Sequence, residues 1–251
     1  MGKRNLKNLS PQDLEDVSTY VEENVEKRHG SYGIRLQDIQ IKIKCLNEKQ
    51  KNLKNAIEQK DVVISTGPAG TGKTYLSLIT ALHLMKTQPV YNRLILIKSL
   101  QTIKGEEVGY LPGSLWEKME PYVYSFTGNL DKILGYGLTT KALIDKGIIQ
   151  IMPIAYIRGV TIDNAIVIID EAQNIDMHTF KTIITRIGHN CKMLFLGDIE
   201  QIDRKLKSES CLSKVCDLFK EQEFTGSVTF TAEESVRNPI IPKLLEILKE
   251  K

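Results

Sequence analysis

From residue 61 onward the chain repeats one pattern: a short, nearly continuous apolar run, a loop, then a helical stretch. The runs cover residues 62–65, 94–98, 148–154, 165–169, 193–196 and 228–231. Short runs without strict polar alternation predict strands buried on both faces, as in a parallel sheet with helices on each side. The clearest helix follows the first run and covers 73–85. The fold class predicted is therefore α/β, with three layers and a mostly parallel open sheet. The chain reads as too short for eight strand–helix units, so an open sheet is the better expectation than a closed barrel.

The first part of the chain reads differently. Ser10 and Pro11 form a helix start, with a capping hydroxyl before a proline in the first turn. That helix runs to about Arg28, stops at Gly30, and has the charge-rich face of an appendage. Between residues 31 and 44, Ile34, Leu36, Ile39, Ile41 and Ile43 alternate with polar residues, which fits an extended connector or an edge hairpin. Asn47 then caps a short helix with Leu53, Ala56 and Ile57 on one side. The expected division is a helical appendage and connector over 1–46 and one α/β domain over 47–251.

Composition narrows the class without changing it. The 251 residues are 41% apolar and 26% charged, which excludes a disordered or fibrous chain and allows a core that needs no disulfide or structural metal. Charges nearly balance at +3, so a polyanionic partner is permitted rather than required. Cys45, Cys191, Cys211 and Cys216 form no C-x-x-C pair; Cys211 and Cys216 fall on an amphipathic helix with Leu212 and Val215 and read as reduced, partly buried thiols. No histidine pairs with a cysteine or carboxylate at ligand spacing. The amino terminus has no signal-peptide core, Leu6 stands where myristoylation needs Ser or Thr, and no run reaches the length of a membrane span. A cytoplasmic protein is expected.

The chemistry gathers at the ends of the runs. Gly67, Pro68, Ala69, Gly70, Thr71, Gly72, Lys73 and Thr74 fit G-x-x-x-x-G-K-[ST] at every defined position, between a strand and a helix. Glycines let successive backbone N–H groups converge on phosphate oxygens, and the helix N-terminus adds partial positive charge. Lys73 would reach the β- and γ-phosphates, and the Thr74 hydroxyl would bind Mg²⁺. The run at 165–169 ends in Asp170 and Glu171, at the carboxyl edge where open α/β sheets bind ligands. Asp170 would hold Mg²⁺ and Glu171 would orient the attacking water. The competing reading is an acidic pair capping a helix that begins near Asp176. A third run ends in Gly197 and Asp198, followed by Gln201, whose amide would meet the γ-phosphate or the water.

Seven segments together resemble the PhoH-like proteins, P-loop ATPases related to superfamily-one helicases. They are GPAGTGKTYLSL from Gly67, GEEVGYLPG from Gly105, PIAYIRG from Pro153, IDEAQN from Ile169, TRIG from Thr185, GDIEQID from Gly197 and SVRNP from Ser235. The resemblance implies a RecA-like core, ATP and Mg²⁺ as cofactors, ATP hydrolysis, a link to RNA, and in some relatives expression under phosphate starvation. It places an adenine-reading glutamine at Gln50, 17 positions before Gly67, whose carboxamide can donate and accept at once. A solvated glutamine on a lysine-rich helix is the other reading. Tyr75, next to the loop, joins the nucleotide-binding set. Arg237 matches a family arginine that serves as a phosphate sensor or finger; Arg186 and Arg158 match as interface arginines, against the plainer reading of surface ion pairs.

Two positions depart from the family pattern. Lys98 and Val160 stand where relatives carry arginine, and lysine lacks the guanidinium fork. That bears on nucleic-acid or interface contacts more than on ATP. The segment from Ser99 to Pro112, with Lys104 and Tyr110 beyond Lys98, is the candidate loop for RNA or single-stranded DNA, since an aromatic beside lysine can stack bases. One RecA-like lobe supplies one wall of a nucleotide cleft. The second would come from a neighbouring copy, which predicts a homo-oligomer, a ring if the contact closes, with Arg237 or Arg186 reaching the neighbour's nucleotide. Two other classes stay open: an ATP-gated module with little turnover, and a P-loop kinase, which needs an arginine-rich lid.

Overall fold

A computed structural model describes residues 35–99, 115–135, 138–201 and 210–236. The helix expected over 10–28 lies outside these residues. The elements are α1 (Glu48–Gln59), β1 (Val62–Thr66), α2 (Lys73–Thr87), β2 (Arg93–Lys98), α3 (Leu115–Leu134), α4 (Leu138–Asp145), β3 (Ile149–Pro153), β4 (Ala165–Asp170), α5 (Met177–Ile184), β5 (Cys191–Gly197), α6 (Leu212–Phe219) and β6 (Thr225–Thr229). The six strands form one sheet in the order β3-β2-β4-β5-β1-β6. Every pairing is parallel.

Successive strand residues divide between two cores, because Cβ atoms alternate across a sheet. Val63, Leu94, Leu96, Ile166, Ile168, Leu194 and Leu196 face the core shared with α1, α2, α3 and α4. Ile64, Ile95, Ile97, Val167, Ile169, Met193 and Phe195 face the other, where Phe180 and Ile183 of α5 and Leu212 and Val215 of α6 pack. Burial on both faces explains the unbroken apolar runs. It also makes the three-layer architecture the low-energy answer, since each buried aliphatic side chain contributes about 1.5–3 kcal/mol.

Local signals set the helix starts. Asn47 Oδ1 accepts from the Gln50 backbone N–H at 2.8 Å and opens α1. Asp176 accepts from the Thr179 N–H at 2.6 Å and opens α5; this bond holds the Asp176 carboxyl below its ordinary range. Of the stretch 31–44, residues 31–34 lie outside the described residues; after a single turn at Leu36–Asp38, residues 39–44 run without strand pairing. Leu36 is buried in the first core, and Ile39, Ile41 and Ile43 pack against it.

The last strand lies earlier than expected, at Thr225–Thr229 rather than 228–231, in register with Val62–Thr66. An edge strand pairs through its backbone, so Thr225 and Gly226 join although neither looks apolar. Gly226 lies against α1, where an added Cβ would come within 3.0 Å of Ala56 Cβ. The cysteines are free. Burial pushes the thiols of Cys191, Cys211 and Cys216 up to about 11, so they stay neutral and unreactive near pH 7. Among the described residues no helix is long and apolar enough to cross a membrane.

Candidate nucleotide site at the carboxyl edge of the sheet

Because all strands run the same way, the loops after β1, β4 and β5 emerge at one edge. The strand order sets β5 between β1 and β4. The phosphate loop, the Asp170–Glu171 turn and the Asp198–Gln201 turn therefore sit side by side.

The loop is held from several directions. Gly67 N–H donates to Gly197 O at 3.1 Å, and Val236 N–H to Gly70 O at 2.9 Å. Gly67 has φ of +134°, and a Cβ there would stand 2.5 Å from Phe230 O, so no other residue fits. Gly70 and Gly72 also have positive φ, at 88° and 87°. Thr71 is fully buried, and its hydroxyl donates to Pro68 O at 3.1 Å. Lys73 folds over the loop: its Nζ donates to Gly67 O at 2.6 Å, Pro68 O at 2.9 Å and Thr71 Oγ1 at 3.4 Å. Ala69 and Tyr75 are exposed on either side. Gln50, the adenine-reading candidate, is 5% exposed and lies behind the loop. Its Nε2 donates to Thr71 O at 3.0 Å, and its Oε1 accepts from Leu46 N–H at 2.7 Å. These two bonds use half the capacity of a carboxamide.

The two residues assigned to Mg²⁺ lie in contact. Thr74 Oγ1 donates to Asp170 Oδ1 at 3.3 Å, across the gap between α2 and β4. Protein crowds Asp170 although its edge reaches solvent. That burial, followed by the neighbouring Glu171, raises the Asp170 carboxyl above its usual range, while Lys98 and the Thr74 hydroxyl oppose the rise. A hydroxyl and a carboxylate held this close form a hard oxygen set, which suits Mg²⁺. Glu171 follows with φ of +57° and ψ of +39°, a left-handed conformation costing a non-glycine residue roughly 1–3 kcal/mol. The helix-capping alternative for this pair fails, since the cap of α5 is Asp176 alone.

Lys98 is placed differently from its sequence assignment. It ends β2 directly opposite Asp170 of β4 in the ladder, so it belongs to the carboxylate edge as well as to the start of the proposed nucleic-acid loop. Lys104, Tyr110 and Arg237 lie outside the described residues. Arg158 is exposed in the turn after β3, the outer strand on the side away from β1. Arg186 lies at the opposite edge of the sheet: its carbonyl accepts from Ile162 N–H at 2.8 Å, just before β4 begins. Neither arginine reaches the phosphate loop of its own chain. Gln201 is exposed, in a single turn whose N–H donates back to Asp198 O at 3.2 Å.

Sequence reasoning passed over Gln173. It is 3% exposed, its Nε2 donates to Glu171 Oε2 at 2.7 Å, and its Oε1 accepts from Asp198 N–H at 3.1 Å. Asn174 beside it donates to Ser99 O at 3.3 Å, tying the β4 turn to the end of β2. Both lie inside IDEAQN, but their spacing from Glu171 does not tell a buried bridge from a solvated turn.

The family model for PhoH-like protein matches residues 42–249. A PhoH-like protein of Bacillus subtilis (strain 168) is 33% identical over 96% of this chain and 72% of its own length. Protein PhoH of Escherichia coli (strain K12) is 36% identical over 79% of this chain, which spans only 56% of that relative. Among solved structures, the large terminase of a thermophilic bacteriophage superimposes with a TM-score of 0.50 at 13% identity. That match covers 81% of this chain and 50% of the terminase, a likeness of fold.

Proposed function

The chain belongs to the PhoH-like protein family, and from that premise we propose that it is a Mg²⁺-dependent ATPase that couples hydrolysis to RNA or single-stranded DNA as a ring-shaped homo-oligomer. The observation that carries this reading is the meeting of Thr74 and Asp170 under the phosphate loop, with Glu171 next in sequence. Lys73 and the backbone N–H groups of residues 69–74 bind the phosphates, and Thr74 and Asp170 would hold Mg²⁺, which would neutralise phosphate charge when bound. Glu171 orients the attacking water, and Gln201, in the turn after β5, is the candidate to meet the γ-phosphate or that water.

The position of Arg186 supports the oligomeric part of the reading. It is remote from its own phosphate loop, so any contact with nucleotide is made across an interface, where an arginine accelerates hydrolysis by roughly 10³–10⁵. The deciding experiment is ATP turnover with and without RNA and single-stranded DNA, alongside light scattering. Stimulation by a single strand and a mass several times that of the chain are expected. Slow turnover indifferent to nucleic acid would favour an ATP-gated switch, a phosphorylated acceptor would favour a kinase, and a fully active monomer would end the ring.

Adenine reading by Gln50 is tested separately. ATP should be preferred over GTP, and Gln50→Ala should flatten that preference. Because Gln50 also braces Thr71, the same change should weaken both nucleotides by about tenfold, as expected for one lost buried hydrogen bond and its orphaned carbonyl. Equal parental affinity for ATP and GTP would leave Gln50 with the bracing role alone.

A further inference from the structure

We propose that Gln173 is the positioning residue of the hydrolytic centre, holding the Glu171 carboxylate at a fixed reach from β5; this rests on the ATPase reading above. Its carboxamide has two different partners. At one end Nε2 donates to Glu171 Oε2 at 2.7 Å, and at the other Oε1 accepts from the Asp198 backbone N–H at 3.1 Å. A carboxylate only accepts and a backbone N–H only donates, so the partners fix which end of the amide faces which.

The residue types nearest to glutamine do not make this bridge. Glutamate would set carboxylate against carboxylate, asparagine is one methylene short, and an apolar side chain would leave the Asp198 N–H without this acceptor. The slot is also closed to expansion. A Cβ on Gly197 would stand 2.8 Å from Gln173 Oε1 and 2.5 Å from Leu212 Cδ2. The anchor is stiff at its far end too: Asp198 is 6% exposed, its Oδ1 accepts from Glu200 N–H at 3.0 Å, and Gly197 O receives the phosphate-loop N–H of Gly67. The bridge therefore ties the Glu171 carboxylate, just past the end of β4, to the strand that touches the phosphate loop. Glu171 needs such a tether because its left-handed backbone has close, lower-energy alternatives. A water-orienting group gains its effect from being held in place, and small displacements are costly.

The test is Gln173→Met, which keeps length and volume but makes neither bond, in both the parental and the Glu171→Gln backgrounds. In the parental background kcat should fall about 10- to 100-fold, with KM and affinity for a fluorescent ATP analogue within about twofold. In the Glu171→Gln background the residual turnover should fall no further, because a residue that acts through Glu171 has nothing left to position. Parental kcat in the single variant, a rise in KM at constant kcat, or an equal further fall in the double variant would each overturn the proposal. A parent protein that hydrolyses no ATP would overturn the hydrolase reading on its own. Backbone amide exchange at Asp198 then judges the bridge without turnover: acceleration in Gln173→Met upholds it, and unchanged exchange removes it.

Discussion

Glu171→Gln is expected to leave nucleotide binding intact while ATP turnover falls by about 10²-fold or more. The substitution keeps the shape of the side chain and deletes the charge that orients water, a contribution of the usual size for general-base groups. Steady-state turnover and titration with a fluorescent ATP analogue measure the two effects separately, and turnover at the parental rate would show that Glu171 is not the group that activates water. Asp170→Asn should behave differently. Crowding raises the Asp170 carboxyl. Stability then falls as pH climbs from the unfolded value through the folded one, and the cost is fully present above it. The substitution should therefore raise thermal stability in EDTA at pH 7 while weakening the response of turnover to Mg²⁺. Thermal melts and a metal titration check both signs.

Lys73→Ala is the second large effect. Loss of charge-assisted bonds to phosphate should cost roughly 1.5–3 kcal/mol, about tenfold or more in ATP affinity. The structure adds a consequence. Nζ also spans the loop, donating to Gly67 O and Pro68 O, so its removal takes a donor from two backbone carbonyls. A modest loss of thermal stability should accompany the loss of binding. Unchanged affinity, measured with the same analogue, would show that the loop holds no phosphate.

Much of the site was legible because its signals are local. The phosphate loop is one unbroken segment, and its glycines are demanded at positions that the observed φ values of 88° and 87° confirm for Gly70 and Gly72. Asp170 was placed correctly because a carboxylate closing a buried apolar run must emerge at a sheet edge. Asn47 and Asp176 start their helices through bonds to residues three positions on. Lys98 was half read. Its place at the end of a strand was plain, but its opposition to Asp170 depends on β2 pairing with β4, which nothing within either strand specifies. Gln173 was missed for the same reason: its second partner is 25 residues away.

The alternation of buried strand and helix follows from the chain alone, because a run apolar on both faces has to be covered on both faces whatever its neighbours are. The order β3-β2-β4-β5-β1-β6 does not follow from it. Apolar runs such as LILIK, AIVII and MLFLG are nearly interchangeable as pairing partners, and their positions are chosen when all helices and strands pack together. That choice inserts β5 between β1 and β4 and brings Gly197 against Gly67 and Asp198 against Gln173. Residue types and spacing are properties of a segment, and they named the phosphate and acidic groups. The distances between those groups belong to contacts remote in sequence, and those exist only once the sheet has closed its order.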